Sequence, residues 1–164
     1  MNELSIVRQA ILNEVEGRAF YEMAAAQASN AEVKAALEHL GNEEKEHEQW
    51  LRSMNRSLQE KNAFVLDWDK MMELAKVKSP GIFDKAGEAF QFNAMELAMF
   101  GAGLLMEKNS IDFYKKAAEG AVTPEAKKLY EQLVKWETVH LDKLEQIHEM
   151  LRNEWWEKQQ FSPS

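Results

Sequence analysis

The sequence contains no cysteine. That excludes disulfides, thiolate metal sites and a cysteine-ligated rubredoxin or iron–sulfur centre on these residues. Helix breakers are scarce, with 3 prolines and 7 glycines among 164 residues, and the mix rich in Ala, Glu, Lys and Leu favours an all-helical soluble protein. Cations are outnumbered, 20 Lys and Arg against 28 Asp and Glu, for a net charge of −8. This balance argues against nucleic acid or an anionic membrane as a partner and also suits plain solubility. No run approaches the ~20 apolar residues that a spanning helix needs. The opening Met1-Asn2-Glu3-Leu4 lacks a basic segment followed by a long apolar run. No signal peptide is therefore expected, and a cytoplasmic protein is. The length suits a single domain over residues 1–164.

What is present is a repeat. Residues 11–54 align without gaps on 104–147, an offset of 93, with 14 of 44 positions identical. The pairs include Leu12/Leu105, Glu14/Glu107, Phe20/Phe113, Tyr21/Tyr114, Glu44/Glu137, His47/His140 and Leu51/Leu144. Composition alone would give roughly three or four matches. The chain thus reads as two copies of one helical hairpin, about 4–58 and about 93–158. In the first copy a helix over about 4–28 precedes a second that opens on the capping box Ser29-Asn30-Ala31-Glu32. In the later copy Asn93-Ala94-Met95-Glu96 caps the third long helix and Gly120 ends it. Thr123-Pro124-Glu125 opens the fourth.

Between the copies, Asp67–Ala75 has the pattern of a short amphipathic helix that Ser79-Pro80-Gly81 breaks. A helix of about 27 residues is ~40 Å long, and crossing it takes at least about 12 extended residues. Residues 59–92 are enough for a long crossover. Two hairpins joined this way make a ferritin-like four-helix bundle.

The stripes expected to face the core carry charge. The second helix presents Val33, Leu37, Leu40, Glu44, His47, Leu51, Met54 and Leu58 at alternating steps of four and three, and the fourth presents Ala126, Tyr130, Leu133, Glu137, His140, Leu144, Ile147 and Leu151. Glu14 and Glu107 occupy the matching stripes of the first and third long helices. Unpaired carboxylates in a core cost several kcal/mol each, and four together repel one another. Lys and Arg are missing from these stripes. Two divalent cations would neutralise the four carboxylates, with two imidazoles as neutral donors. Glu44-x-x-His47 and Glu137-x-x-His140 each place two donors one helical turn apart. One Glu from each of two helices plus Glu-x-x-His from each of the others is the di-iron bundle pattern.

The predicted metal ligands are therefore Glu14, Glu44, His47, Glu107, Glu137 and His140. Oxygen and imidazole donors without sulfur suit two iron ions, with manganese or zinc as substitutes. Glu16 competes with Glu14, but the repeat pairs Glu16 with Asn109, which favours Glu14. Glu43, Glu46 and Glu48 fall off the stripe and are expected in solvent, as are His39 and His148. Tyr21 and Tyr114 follow the ligand glutamates by seven residues on the same face. They are either core packing or phenols that hydrogen-bond ligand carboxylates or relay electrons. Trp155 and Trp156 are candidates for covering a homodimer surface. No Ser-His-Asp set or phosphate loop is apparent.

Over about 4–55 and 93–150 the chain resembles the rubrerythrin-like (erythrin) branch of the ferritin-like di-iron carboxylate superfamily. Glu14 with Phe20-Tyr21, Glu44-x-x-His47, Glu107 with Phe113-Tyr114, and Glu137-x-x-His140 carry the resemblance. It implies that Glu44 and Glu137 bridge two irons, that Glu14 and Glu107 are terminal ligands, and that His47 and His140 complete the set. It also implies peroxide reduction with electrons often delivered by rubredoxin. Full-length members carry a Cys-rich rubredoxin domain, so any electron donor here is expected to be a separate, rubredoxin-like protein. Where the family has an additional glutamate one turn after the first ligand of the third helix, this chain has Ser110.

Three functions stay open at this level. One is a di-iron oxidoreductase reacting with hydrogen peroxide or dioxygen. Another is an iron-binding, ferroxidase-type iron-handling protein, and the third is an interaction module with structural metals.

Overall fold

Each long helix starts where a polar side chain satisfies free backbone N–H groups. In the computed structural model, which describes residues 2–61, 63, 65, 67–74 and 93–159, Asn2 opens α1 (Glu3–Gln27) by accepting from the Ser5 backbone at 2.9 Å. Asn30 opens α2 (Ala31–Lys61), its side chain accepting from Glu32 and Val33 backbone N–H at 2.8 and 3.1 Å. After the short α3 (Trp68–Leu74), Asn93 and Glu96 form a reciprocal capping box at the start of α4 (Ala94–Glu119). Thr123 then caps α5 (Pro124–Lys158), with Pro124 at the first turn. Gly120 ends α4, as its place after the third stripe predicts. The cap of α2 differs from expectation: Asn30 takes the role assigned to Ser29, whose hydroxyl is engaged by Glu96 at 3.1 Å.

The architecture is all-α, a ferritin-like bundle of two helical hairpins. α1 packs along α2 and α4 along α5, while α1 meets α4 across the centre. The turns inside the hairpins are short, residues 28–30 and 120–123, which makes each pair antiparallel. The connection between hairpins includes α3, capped by Asp67, whose side chain accepts from the Lys70 backbone at 3.1 Å. Met71 of α3 is buried in the bundle, and Lys128 lies 4.2 Å from the Trp68 ring centroid. Ala75 and the predicted break at 79–81 lie outside the described residues.

The repeat reappears as paired contacts. Glu96 of α4 accepts from the backbone N–H groups of Ser29 and Asn30 in the first hairpin's turn, at 2.9 and 3.1 Å. Glu3, its counterpart 93 residues earlier, accepts from Val122 and Thr123 N–H in the second hairpin's turn, at 3.2 and 3.3 Å. Each hairpin's first helix therefore fastens the other hairpin's turn.

The apolar core falls into two clusters. One holds Tyr21, Leu37, Leu40, Phe100, Leu144 and Leu151. The other holds Val7, Leu51, Met54, Tyr114, Tyr130 and Leu133. Among the described residues, no helix is long and apolar enough to cross a membrane.

Candidate metal centre

Along each core stripe, charged residues interrupt the apolar run at mid-helix. α1 contributes Glu14, α2 contributes Glu44 and His47, α4 contributes Glu107, and α5 contributes Glu137 and His140. All six are at most 4% exposed. The structure brings together every residue that the sequence reading assigned as a ligand, and Glu16, the rival for the first position, is exposed.

Two overlapping groups result. Glu14, Glu44, His47 and Glu137 offer donor atoms all within 4.8 Å of one another, and so do Glu44, Glu107, Glu137 and His140. Glu44 and Glu137 belong to both. His47 Nδ1 lies 3.2 Å from both Glu14 Oε2 and Glu137 Oε1. His140 Nδ1 lies 3.1 Å from Glu137 Oε2 and 3.2 Å from Glu44 Oε1. Despite this proximity, both oxygens of Glu137, Oε1 of Glu44 and Nδ1 of His140 are buried without a hydrogen bond of good geometry. Buried polar atoms left this way are costly, and all of them converge on one space. A pair of divalent cations fits the donor set: two positions, each reached by three carboxylates and one imidazole, with two carboxylates shared.

The electrostatics of the metal-free centre agree. Burial, then the charges of Glu137 and Glu14, push the Glu44 carboxyl well above its ordinary range. Burial and Glu137 raise Glu107 to about 7. Burial disfavours the charged forms of His47 and His140, yet the carboxylates around them outweigh it and raise both well above the usual imidazole value. Burial would also raise Glu137, but His47 and His140 hold it below the carboxylate range. Without metal, protons on imidazoles and carboxyls supply the balancing positive charge.

The two tyrosines reach across the bundle. Tyr21 donates its hydroxyl to Glu107 Oε1, and Tyr114 donates to Glu14 Oε1. Burial first, then the neighbouring carboxylates, push both phenols well above their ordinary value, so they stay protonated donors. Each orients a carboxylate of the centre. Close approach is needed elsewhere too. A Cβ on Gly17 would sit 3.2 Å from Glu44 Oε2, so the bare backbone of α1 leaves that carboxylate its room.

Five off-stripe expectations change, and Glu46 is the first of them, half-buried instead of in solvent. Glu48 is buried beneath Arg18 and Arg52, at 3.4 and 2.7 Å. Glu43 is half-buried, with Oε2 accepting from His140 Nε2 at 2.9 Å. His39 is half-buried rather than on the surface, its Nε2 3.4 Å from the same oxygen. His148 is also half-buried. Positions flanking a bundle's core stripe are commonly covered by the next helix, and the i, i+4 pair His39/Glu43 is the trace this leaves in sequence. Beside the second imidazole, Trp136 stacks on the His47 ring at 5.2 Å between centroids and Trp50 lies 5.4 Å from it.

The comparisons with known proteins agree with this geometry. A solved structure of a hypothetical protein from Pyrococcus furiosus is similar, with a TM-score of 0.70 at 22% identity, covering 93% of this chain and 92% of that one. At that identity the likeness speaks for the fold. A search of curated proteins finds no significant match. The model of the rubrerythrin family matches residues 5–148, a span that contains all six clustered residues and both tyrosines, and the chain belongs to that family.

Proposed function

We propose that this chain is a cytoplasmic di-iron oxidoreductase that reduces hydrogen peroxide to water with electrons from a separate donor protein, such as a rubredoxin-like one. The observation that carries the reading is the sharing of Glu44 and Glu137 between two buried groups, each closed by its own Glu and His. In this reading Glu14, Glu44 and Glu137 with His47 hold one ion, and Glu44, Glu107 and Glu137 with His140 hold the other. When bound, two ferrous ions supply the two electrons needed to cleave one O–O bond. The residues do the rest. Tyr21 and Tyr114 keep Glu107 and Glu14 oriented, and the apolar clusters above and below keep bulk water out. With no cysteine in these residues to hold a second iron centre, the reducing equivalents come from outside.

The test is anaerobic loading with ferrous iron, then rapid mixing with hydrogen peroxide or dioxygen, followed spectroscopically. Faster oxidation by peroxide is expected, with one turnover in the absence of a donor. Equal or faster oxidation by dioxygen, with more than two irons oxidised per chain, would instead establish the iron-handling reading. Ser110, standing where related proteins have an additional glutamate, favours that second reading.

A further inference from the structure

The two halves of the centre repeat each other in the donors but not behind them. His140 Nδ1 faces the shared carboxylates, and its outer nitrogen, Nε2, is 2.9 Å from Glu43 Oε2. That same oxygen lies 3.4 Å from His39 Nε2, which sets His39, Glu43 and His140 in a row, with the hydrogen bond of good geometry on the His140 side alone. The repeat does not reproduce it. The counterpart of Glu43 is Trp136, and the counterpart of His39 is Gln132. Trp136 does meet the counterpart histidine, but by stacking its ring on His47. A depression of about 30 Å³ lies over both imidazoles, lined by Glu43, Glu46, His47, Trp50, Trp136, Val139 and His140.

A carboxylate on the outer N–H of an imidazole fixes its tautomer, holds the ring and raises its basicity toward a metal. A stacked indole constrains the ring plane but accepts no such hydrogen bond. We propose that Glu43 is a positioning residue that acts through His140 to make the two metal positions unequal, the His140 position binding divalent cation more tightly than the His47 position. The inference rests on the two-metal reading above. In it, Nε2–H of His140 donates to Glu43, so the Nδ1 lone pair is free for the metal. His39 stands on the outer side of Glu43 without a hydrogen bond of good geometry to it.

Titration of the metal-free full chain with cobalt(II), read from its visible bands, separates the possibilities. Wild type is expected to take up two ions in two resolved steps. Two single-position backgrounds, His47→Ala and His140→Ala, assign the steps. Adding Glu43→Ala to His47→Ala should weaken the remaining site roughly 10- to 100-fold. Adding it to His140→Ala should leave the remaining site unchanged. Glu43→Gln, which keeps an acceptor oxygen in place, should recover part of the loss in the His47→Ala background. A merely structural role would lower both sites together or neither, and either result overturns the proposal. Circular dichroism of each variant checks that it is folded, and Glu43→Gln carries the test if Glu43→Ala is not. Uptake of fewer than two ions by wild type would overturn the two-metal reading itself, a different failure from equal effects in the two backgrounds.

Discussion

Tyr21, on the first hairpin, donates its hydroxyl to Glu107, on the second. Its repeat counterpart Tyr114 donates to Glu14, so the two hydrogen bonds cross the bundle in opposite directions. Each hairpin thereby orients a carboxylate that belongs to the other. The centre is consequently a property of the assembled pair, and neither hairpin contains it alone.

Removing these hydroxyls should separate the two positions. Tyr21→Phe leaves a buried oxygen of Glu107 unpaired, and Tyr114→Phe does the same to Glu14. An unsatisfied buried acceptor costs about 1–3 kcal/mol, so thermal unfolding of each metal-free variant should shift downward. Metal titration should show a loss of roughly 10-fold or more, at the Glu107–His140 position for Tyr21→Phe and at the Glu14–His47 position for Tyr114→Phe. Equal loss at both positions would contradict the crossed arrangement.

The metal-free chain should lose stability as pH rises from about 5 to about 8. Glu107 is raised from the ordinary 4.5 to about 7, so its contribution is fully present below about pH 4.5 and lost as pH climbs to 7. Taken alone this is on the order of 3 kcal/mol. Glu44 acts in the same direction. His47 and His140, raised above 6.5, contribute below that value and lose the contribution as pH rises through their folded-state values. Glu137 and Glu43 are lowered, and their contributions disappear only on acidification below the usual carboxylate range, outside this window. Metal binding must displace the protons on the imidazoles and on Glu44 and Glu107, so affinity should rise over the same interval. Thermal unfolding with a chelator present, and then with bound divalent metal, should give slopes of opposite sign.

Gly17 sets up a case in which folding and binding part company. In a helix interior Ala is favoured over Gly by about 1 kcal/mol. The nearest atom is the tip of the Glu44 side chain, which has to give by only a few tenths of an ångström. Gly17→Ala should therefore raise the melting temperature of the metal-free protein, whereas a lower one would mean that Glu44 cannot move aside. The added Cβ would stand 3.2 Å from Glu44 Oε2 and 3.4 Å from its Cδ, displacing a carboxylate shared by both positions. Loss of affinity at both metal positions together is the expected titration result. Its repeat counterpart is Ser110, which already carries a Cβ.

Much of the centre is legible in the sequence itself. The gap-free repeat separates Glu14, which is buried, from Glu16, which is exposed, and it places Glu44 and Glu137 as equivalent members of two stripes. Spacing along one helix decides such questions because a 3.6-residue period fixes what faces inward. It is silent about partners on another element. Glu43 meets His140 from 97 residues away, and Ser29 gives up the cap of α2 because Glu96, 67 residues on, engages its hydroxyl. Glu48 is off the stripe by periodicity, yet two arginines cover it. In each instance a contact between elements overrides a local rule, and local rules carry no information about it.

Glu44 and Glu137 occupy matching places in the repeat and are both shared between the two groups, yet they should respond oppositely to neutralisation. Glu44 is pushed up by burial and by three other carboxylates, Glu137, Glu14 and Glu107, so in the metal-free protein its charged form comes at a free-energy cost. Glu137 remains charged because His47 and His140, at 3.2 and 3.1 Å, surround it. Glu44→Gln replaces a costly carboxyl with a neutral group of similar shape. At about pH 8 it should stabilise the metal-free chain, seen as a higher melting temperature than wild type. Glu137→Gln strips two buried imidazoles of their nearest counter-charge. Breaking a buried ion pair from one side costs about 3–5 kcal/mol, and this variant should melt well below wild type under the same conditions. Both substitutions remove an oxygen donor from both positions, so both should fail to take up two metal ions. Parallel unfolding curves and metal titrations decide the matter. Equal stability effects of the two variants would mean that the proton in the metal-free centre is not distributed between these carboxylates as the surrounding charges dictate.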